Sequence, residues 1–221
     1  MVNSFLVITS DYDSFAIGLC VGNNCIDYLS DATHKISKNL VPMLANILDK
    51  NSICLDDLKF VAVNCGPGPF TTLRSVIASV NGLNFVAKIP LIEVDSIKAL
   101  LTEYSSPLFP NTIALFNAFN NDIYFGVQIS EKNIETGYQN HIQFLTDLSK
   151  KYPERTIRFI GSGADLCRTT IIEIFKTWVF IPDPLPKAAS VQQIAKIGLE
   201  QFISGIGISN QLKPLYLKNL Y

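Results

Sequence analysis

Two glycines, two prolines and a run of polar residues stand together at Gly66-Pro67-Gly68-Pro69-Phe70-Thr71-Thr72-Leu73-Arg74, the stretch of this chain best equipped for chemistry. A glycine turn that feeds a helix N-terminus can cradle a phosphate, because free backbone N–H groups and the helix dipole point at it. Gly66, Gly68, Thr71, Thr72 and Arg74 would then form the binding set. The plainer reading is a tight turn with Pro69 at the first helical position, where its missing N–H costs nothing. Pro67 and Pro69 bring no N–H to a phosphate. The run also lacks the Gly-Lys-Ser/Thr ending of a P-loop and the third glycine of a dinucleotide fingerprint.

Other reactive groups are scarce. Nucleotide chemistry calls for carboxylates at strand ends to hold a metal, yet the first strand ends Thr9-Ser10 and its counterpart in the second half ends Phe116-Asn117. Asp11 and Asp13 sit in a turn, where aspartate serves local hydrogen bonding. Cys65 flanks the glycine turn with no histidine or other base near it in sequence. The cysteines at 20, 25, 54, 65 and 167 are odd in number and form no C-x-x-C. They read as reduced, buried thiols rather than a disulfide framework or a zinc knuckle. His34 and His141 are too few for a histidine-rich metal site. Lys150, Lys151, Arg155 and Arg158 make a loose basic patch that reads as a solvated face.

The helix expected after the glycine turn has two faces. Leu73, Val76, Ile77, Val80 and Leu83 form an apolar stripe, while Ser75, Ala78, Ser79 and Gly82 recur at i, i+3, i+4 and i+7 as a stripe of small residues. Small residues let a second helix approach closely. The pattern alone leaves open whether that helix lies inside the fold or in another subunit.

The elements that would position these groups alternate along the chain. Phe5 to Thr9, Phe15 to Val21 and Ile26 to Leu29, separated by turn residues, predict a three-stranded antiparallel meander. Leu40, Met43, Leu44, Ile47 and Leu48 predict a helix over Ser37 to Lys50, with Pro42 marking its first turn or a bend. The apolar run from Lys59 to Asn64 suits a buried parallel strand. A helix from Phe70 to Ala87, a strand from Pro90 to Val94 and a helix near Ser96 to Tyr104 follow. Pro107 and Pro110 then suggest a boundary, dividing the chain into lobes 1–105 and 106–221.

The second half repeats the theme. Strands over Thr112 to Phe116 and Ile123 to Ile129 flank a turn at Asn120-Asn121. A strand from Ile157 to Ile160 runs into Gly161-Ser162-Gly163, followed by a helical stretch to Phe175, a strand at Trp178 to Ile181 and a helix from Ala189 to Ile203. Two α/β lobes of related construction are expected.

Composition narrows the function. The 221 residues carry 18 Lys plus Arg against 19 Asp plus Glu, a net charge of -1. Only 17% are charged and 48% hydrophobic, with a mean hydropathy of +0.26. This excludes a disordered tail and a protein that grips phosphate backbones by bulk positive charge. No segment approaches the ~18 apolar residues of a membrane span, and the short apolar run Phe5 to Ile8 is no signal-peptide core, so a cytoplasmic protein is expected. So little surface charge invites a partner.

The run GPGPFTTLRSVIASVNGL from Gly66 to Leu83 resembles the signature loop and helix of the bacterial TsaB (YeaZ) family. LVITSDYDSFAIGL at Leu6 to Leu19, ISKNLVPML at Ile36 to Leu44, IPLIEVDSIKAL at Ile89 to Leu100, NAFNNDIY at Asn117 to Tyr124 and the closing KPLYLK at Lys213 to Lys218 resemble the family's further motifs, in the family's order.

The resemblance implies a two-lobed α/β fold of the actin and sugar-kinase type, ribonuclease H-like, with mixed sheets flanked by helices. It also implies a non-catalytic role, with no cofactor of its own, in making threonylcarbamoyladenosine next to the tRNA anticodon. In that pathway TsaB pairs with its paralogue TsaD, which carries the metal and transfers the threonylcarbamoyl group, and the ATPase TsaE joins them. tRNA meets TsaB only through the complex. The contact with TsaD, and a homodimer formed without it, would use the helices containing Leu40, Met43, Leu44 and Ile47, and Thr71, Ser75, Ala78, Ser79 and Gly82.

Several positions depart from the family's usual residues: Thr9 for an aspartate, Ile36 for a histidine, Pro69 for a serine, Thr72 for a glycine, Asn117 for an aspartate, Phe119-Asn120 for an arginine pair and Ser162 for an aspartate. These changes remove charges and donors that could serve a nucleotide or a neighbouring subunit. An ATP-binding phosphotransferase or ATPase of the same fold is the alternative, with Gly66 to Arg74 holding phosphate.

Overall fold

The computed structural model describes residues 4–130 and 134–217 and divides them into two compact units. The first comprises residues up to Ser96 together with Ser190–Leu215, and the second runs from Ile97 to Ala189 and takes in Tyr216 and Leu217. The division differs from a single cut at 105/106, because a C-terminal helix returns to the first sheet.

The first unit is built on strands β1 (Ser4–Ser10), β2 (Ser14–Val21) and β3 (Asn24–Ala32), the expected meander, followed by helix α1 (Ile36–Lys50), strand β4 (Leu58–Asn64), helix α2 (Phe70–Ala87) and strand β5 (Leu91–Val94). β1 pairs antiparallel with β2 and β2 with β3, while β4 lies parallel to β1 and β5 parallel to β4. Pro42 lies inside α1 rather than in its first turn.

Helix α3 (Ser96–Glu103) leads into the second unit. There β6 (Asn111–Asn117), β7 (Asp122–Ile129) and β8 (Glu135–Asn140) form a second antiparallel meander, followed by α4 (His141–Lys151), β9 (Ile157–Ile160), α5 (Ser162–Leu166), α6 (Arg168–Phe175) and β10 (Val179–Phe180). Helix α7 (Val191–Ser204) and the short strand β11 (Ile208–Ser209) complete the first unit, β11 pairing antiparallel with the edge of β5. The sheet orders are β11-β5-β4-β1-β2-β3 and β10-β9-β6-β7-β8. Both carry one pattern: a three-stranded meander whose first strand is continued by two parallel strands.

In the first unit alternation along β1 sends Leu6 and Ile8 into a cluster with Leu40, Ile47, Val76 and Val80 of α1 and α2. On the opposite face Phe5 stacks on Phe60 at 4.3 Å between ring centroids, and Phe60 on Phe202 of α7 at 4.5 Å. Burying each such ring contributes roughly 1.5–3 kcal/mol. The sheet is therefore covered on both sides, as a partly parallel sheet requires. In the second unit Ile113, Leu115 and Phe159 pack with Phe144, Leu148 and Ile171.

The thiols depart from expectation. Cys20 and Cys25 are bonded to each other across the β2–β3 hairpin, and Cys54 is exposed; only Cys65 and Cys167 are free and buried. Burial pushes the Cys167 thiol up to about 11. No helix among the described residues is long and apolar enough to cross a membrane.

Candidate partner-binding face

The site begins where β4 ends. Asn64 is buried, and its Oδ1 accepts the Gly66 N–H at 3.1 Å and the Ser96 hydroxyl, while its Nδ2 donates to the Ser10 carbonyl at 3.4 Å. Leaving such a buried amide unpaired would cost roughly 1–3 kcal/mol, so this set of bonds holds the turn firmly. The Ser96 N–H donates to the Gly66 carbonyl at 2.8 Å, and the Leu215 N–H to the Cys65 carbonyl at 2.9 Å. Gly66 has φ +102°, and a Cβ there would meet Leu73 Cδ1 at 2.7 Å, so the position accepts only glycine without strain. Pro69 stands one residue before the first helical position, as the cap of α2, and its carbonyl accepts the Leu73 N–H at 3.0 Å.

The candidate phosphate set does not converge. The Gly66 N–H is committed to Asn64, Thr72 is buried, and the Arg74 guanidinium lies 3.6 Å over the ring of Phe70 on its own helix. Gly68 stays in the turn between the two prolines. Cys65 is buried, and desolvation, with Glu93 adding to it, drives its thiol far above the ordinary range, which opposes nucleophilic use. Asp11 Oδ1 accepts the N–H groups of Asp13 and Ser14, both at 2.7 Å, and is spent on closing the β1–β2 turn. Asn117 Oδ1 likewise accepts the Phe119 N–H at 2.8 Å. Among the described residues no group of three or more His, Cys, Asp or Glu side chains lies together.

What α2 does present is a smooth exposed ridge. Thr71, Ala78 and Gly82 are exposed, and Ser75 and Ser79 half-buried. The Ser75 hydroxyl donates to the Thr71 carbonyl and the Ser79 hydroxyl to the Ser75 carbonyl, both at 2.9 Å. A Cβ on Gly82 would meet nothing within 4 Å. The ridge continues into Phe85 and Val86, 77% and 80% exposed, which sequence reasoning missed. Their signal was present: both fall off the buried stripe of Val76, Ile77 and Val80 in helical phase.

At the other end of the ridge Thr71, Thr72 and Ser75 border a cleft of about 510 Å³. Asp13, Ser37 and Tyr12 also line it.

The α1 residues expected at the contact divide. Leu40 and Ile47 are 2% and 0% exposed within their own unit, because the helix turns them onto the sheet. Met43 and Leu44 are half-buried against the same cluster. Leu40 and Ile47 are therefore core residues, while Val41, 63% exposed, is a large apolar side chain that α1 leaves open.

In the second unit Gly161 and Gly163 allow close approach to β6: a Cβ on Gly163 would meet the Leu115 carbonyl carbon at 2.9 Å. This turn serves packing, and Asp165 beyond it pairs with Arg168 at 2.8 Å.

Two sheets that repeat one order, each with its meander continued by two parallel strands between helices, define the ribonuclease H-like fold of the actin and sugar-kinase class. Comparison with known proteins narrows the class. The sequence profile of the family described as "TsaD: tRNA N6-adenosine threonylcarbamoyltransferase" matches residues 30–195. The chain is 27% identical over 208 residues to the tRNA threonylcarbamoyladenosine biosynthesis protein TsaB of Haemophilus influenzae, covering 88% of this chain and 84% of that one. It is 24% identical to TsaB of Buchnera aphidicola subsp. Acyrthosiphon pisum, covering 98% and 99%. The solved structure of YeaZ from Pseudomonas aeruginosa shares the fold, with a TM-score of 0.70 at 19% identity and coverage of 97% and 100%. The chain belongs to the TsaD family, in its TsaB (YeaZ) branch.

Proposed function

We propose that this chain works in the synthesis of threonylcarbamoyladenosine beside the tRNA anticodon, as a non-catalytic cytoplasmic subunit that binds TsaD and activates it. The observation that carries the reading is the α2 ridge. Five small or hydroxyl side chains, Thr71, Ser75, Ala78, Ser79 and Gly82, share one face, and the serine hydroxyls are bonded back onto the helix. A helix from another subunit can lie against such a face without stranding a polar group. Exposed Phe85 and Val86 at its end supply the large apolar contacts that small residues lack.

The non-catalytic part of the reading is supported by how the remaining polar groups are used. Asp11 and Asn117 close turns, Asn64 holds the glycine loop, and Arg74 covers Phe70. TsaE joins on the assembled pair, tRNA is met through the complex, and without TsaD the same face supports a homodimer. Co-expression with TsaD of the same organism, followed by sizing of the purified material, tests the proposal. A one-to-one complex is expected, and two proteins that elute separately would refute it.

A further inference from the structure

The β2–β3 hairpin carries a feature that partner binding does not use. Through most of the hairpin the pairing runs Gly18↔Tyr28 and Leu19↔Asp27, a register that would set Ile26 opposite Cys20. The register shifts by one residue after Leu19, so that Cys25 stands opposite Cys20 and Asn24 opposite Val21, ahead of the turn at Gly22. The extra residue is Ile26, 53% exposed. The shift brings the two thiols onto one face, where they are joined.

That face is the one covered by α7. A Cβ on Gly18 would lie 2.8 Å from Val191 Cγ1, 3.8 Å from Cys25 Sγ and 3.9 Å from Cys20 Sγ, so the sulfurs and the first turn of α7 meet above the same residue. Gln192, next in that turn, grips the hairpin tip: its Nε2 donates to the Asn23 carbonyl at 2.6 Å and its Oε1 accepts the Cys25 N–H at 3.3 Å. Cys25 is half-buried and Cys20 fully buried. Cys25 is thus the more open residue of the pair, and Cys20 lies behind it, placed to resolve a mixed disulfide.

We propose that Cys20 and Cys25 form a thiol–disulfide exchange site, responsive to glutathione, that latches the hairpin tip to the start of α7. In the oxidising direction the Cys25 thiolate attacks one sulfur of glutathione disulfide, forms a mixed disulfide and releases one glutathione thiolate. The Cys20 thiolate then attacks Cys25 Sγ and releases the second. The two protein thiols are oxidised, one glutathione disulfide is reduced to two glutathione molecules, and these carry away the two protons. Two glutathione thiols reverse the sequence.

The test compares the folded full-length chain in glutathione disulfide and in reduced glutathione, by alkylation mapping and by hydrogen exchange. Under oxidation Cys20 and Cys25 should resist alkylation and appear as one linked peptide, while the exposed Cys54 is found as a free thiol or a glutathione adduct. Amides of the hairpin tip and of the first turn of α7 should exchange roughly tenfold more slowly than in the reduced chain, because the bond removes chain entropy from the opened state. Cys25→Ser should abolish the difference between the two buffers. Alkylation of both thiols under oxidation, equal exchange in both buffers, or a buffer dependence that survives Cys25→Ser would each overturn the proposal.

Discussion

The Ser79 hydroxyl donates to the main-chain carbonyl of Ser75, 2.9 Å away, so the middle of α2 turns its polar atoms inward. Ser75 repeats the contact one turn earlier, onto Thr71. A helix surface that would otherwise present free hydroxyls becomes low and chemically quiet, which suits contact with another helix better than it suits binding a phosphate.

Gly82 lies on this face inside a helix and has open space where a Cβ would go. Gly82→Ala should therefore stabilise the isolated chain by about 0.5–1 kcal/mol, by restricting the unfolded backbone. Denaturant unfolding of the two proteins would measure it. A loss of stability would mean that the position is packed in the free chain.

Leu40 and Ile47 distinguish a core from a contact. Leu40→Ala and Ile47→Ala should each cost roughly 2–5 kcal/mol in the isolated chain, since each empties a volume in the cluster beneath α1. Val41→Ala, at an exposed position on the same helix, should leave unfolding within about 0.5 kcal/mol of the parent. Equal effects for the three substitutions would contradict the orientation of α1.

Strands β1, β2 and β4 were legible as short apolar runs bounded by turn residues, and helices α1 and α2 because their apolar residues recur at helical spacing. β8 was not, since Glu135–Asn140 carries Thr136, Gly137 and Gln139 with little alternation. Helix α4 beside it held a readable signal, with Asn140 capping Ile142 and Gln143 ahead of Phe144, Leu145 and Leu148. The family resemblance points to α1 as a whole and not to one face of it, which is why Leu40 and Ile47 enter the expected partner contact although the sheet covers them. The Cys20–Cys25 pairing depends on a one-residue shift of register, which a pattern of residue types does not encode. Of the closing motif, Lys218 lies outside the described residues.

Asp31 on β3 accepts from the Asn39 amide at 2.6 Å, from the Ala32 N–H at 2.7 Å and from Lys35 at 3.1 Å. These bonds, the Asn39 contact foremost, hold its carboxyl down at about 2 against an ordinary 3.8. A depressed carboxyl contributes stability above its unfolded value and loses it as pH falls through the folded one. The contribution should accordingly fade between pH 3.8 and about 2. Asp31→Asn should flatten the acid limb of the unfolding midpoint over that window, and an unchanged slope would count against the bonding around Asp31.

ATP with magnesium should give no heat of binding in titration calorimetry of the isolated chain. The loop that would hold the phosphates has Pro67 and Pro69 without N–H groups, and its Gly66 N–H is already bonded to Asn64. An isotherm of roughly micromolar strength would favour the phosphotransferase reading instead.

Binding of TsaD depends, on this reading, on the α2 face. Ser79→Phe and Gly82→Phe place a large ring on the ridge, and each variant should unfold as a single transition close to the parent while failing to co-elute with TsaD of the same organism in size-exclusion chromatography. Folded variants that still elute as an intact complex with TsaD would show that the α2 face is not where TsaD binds.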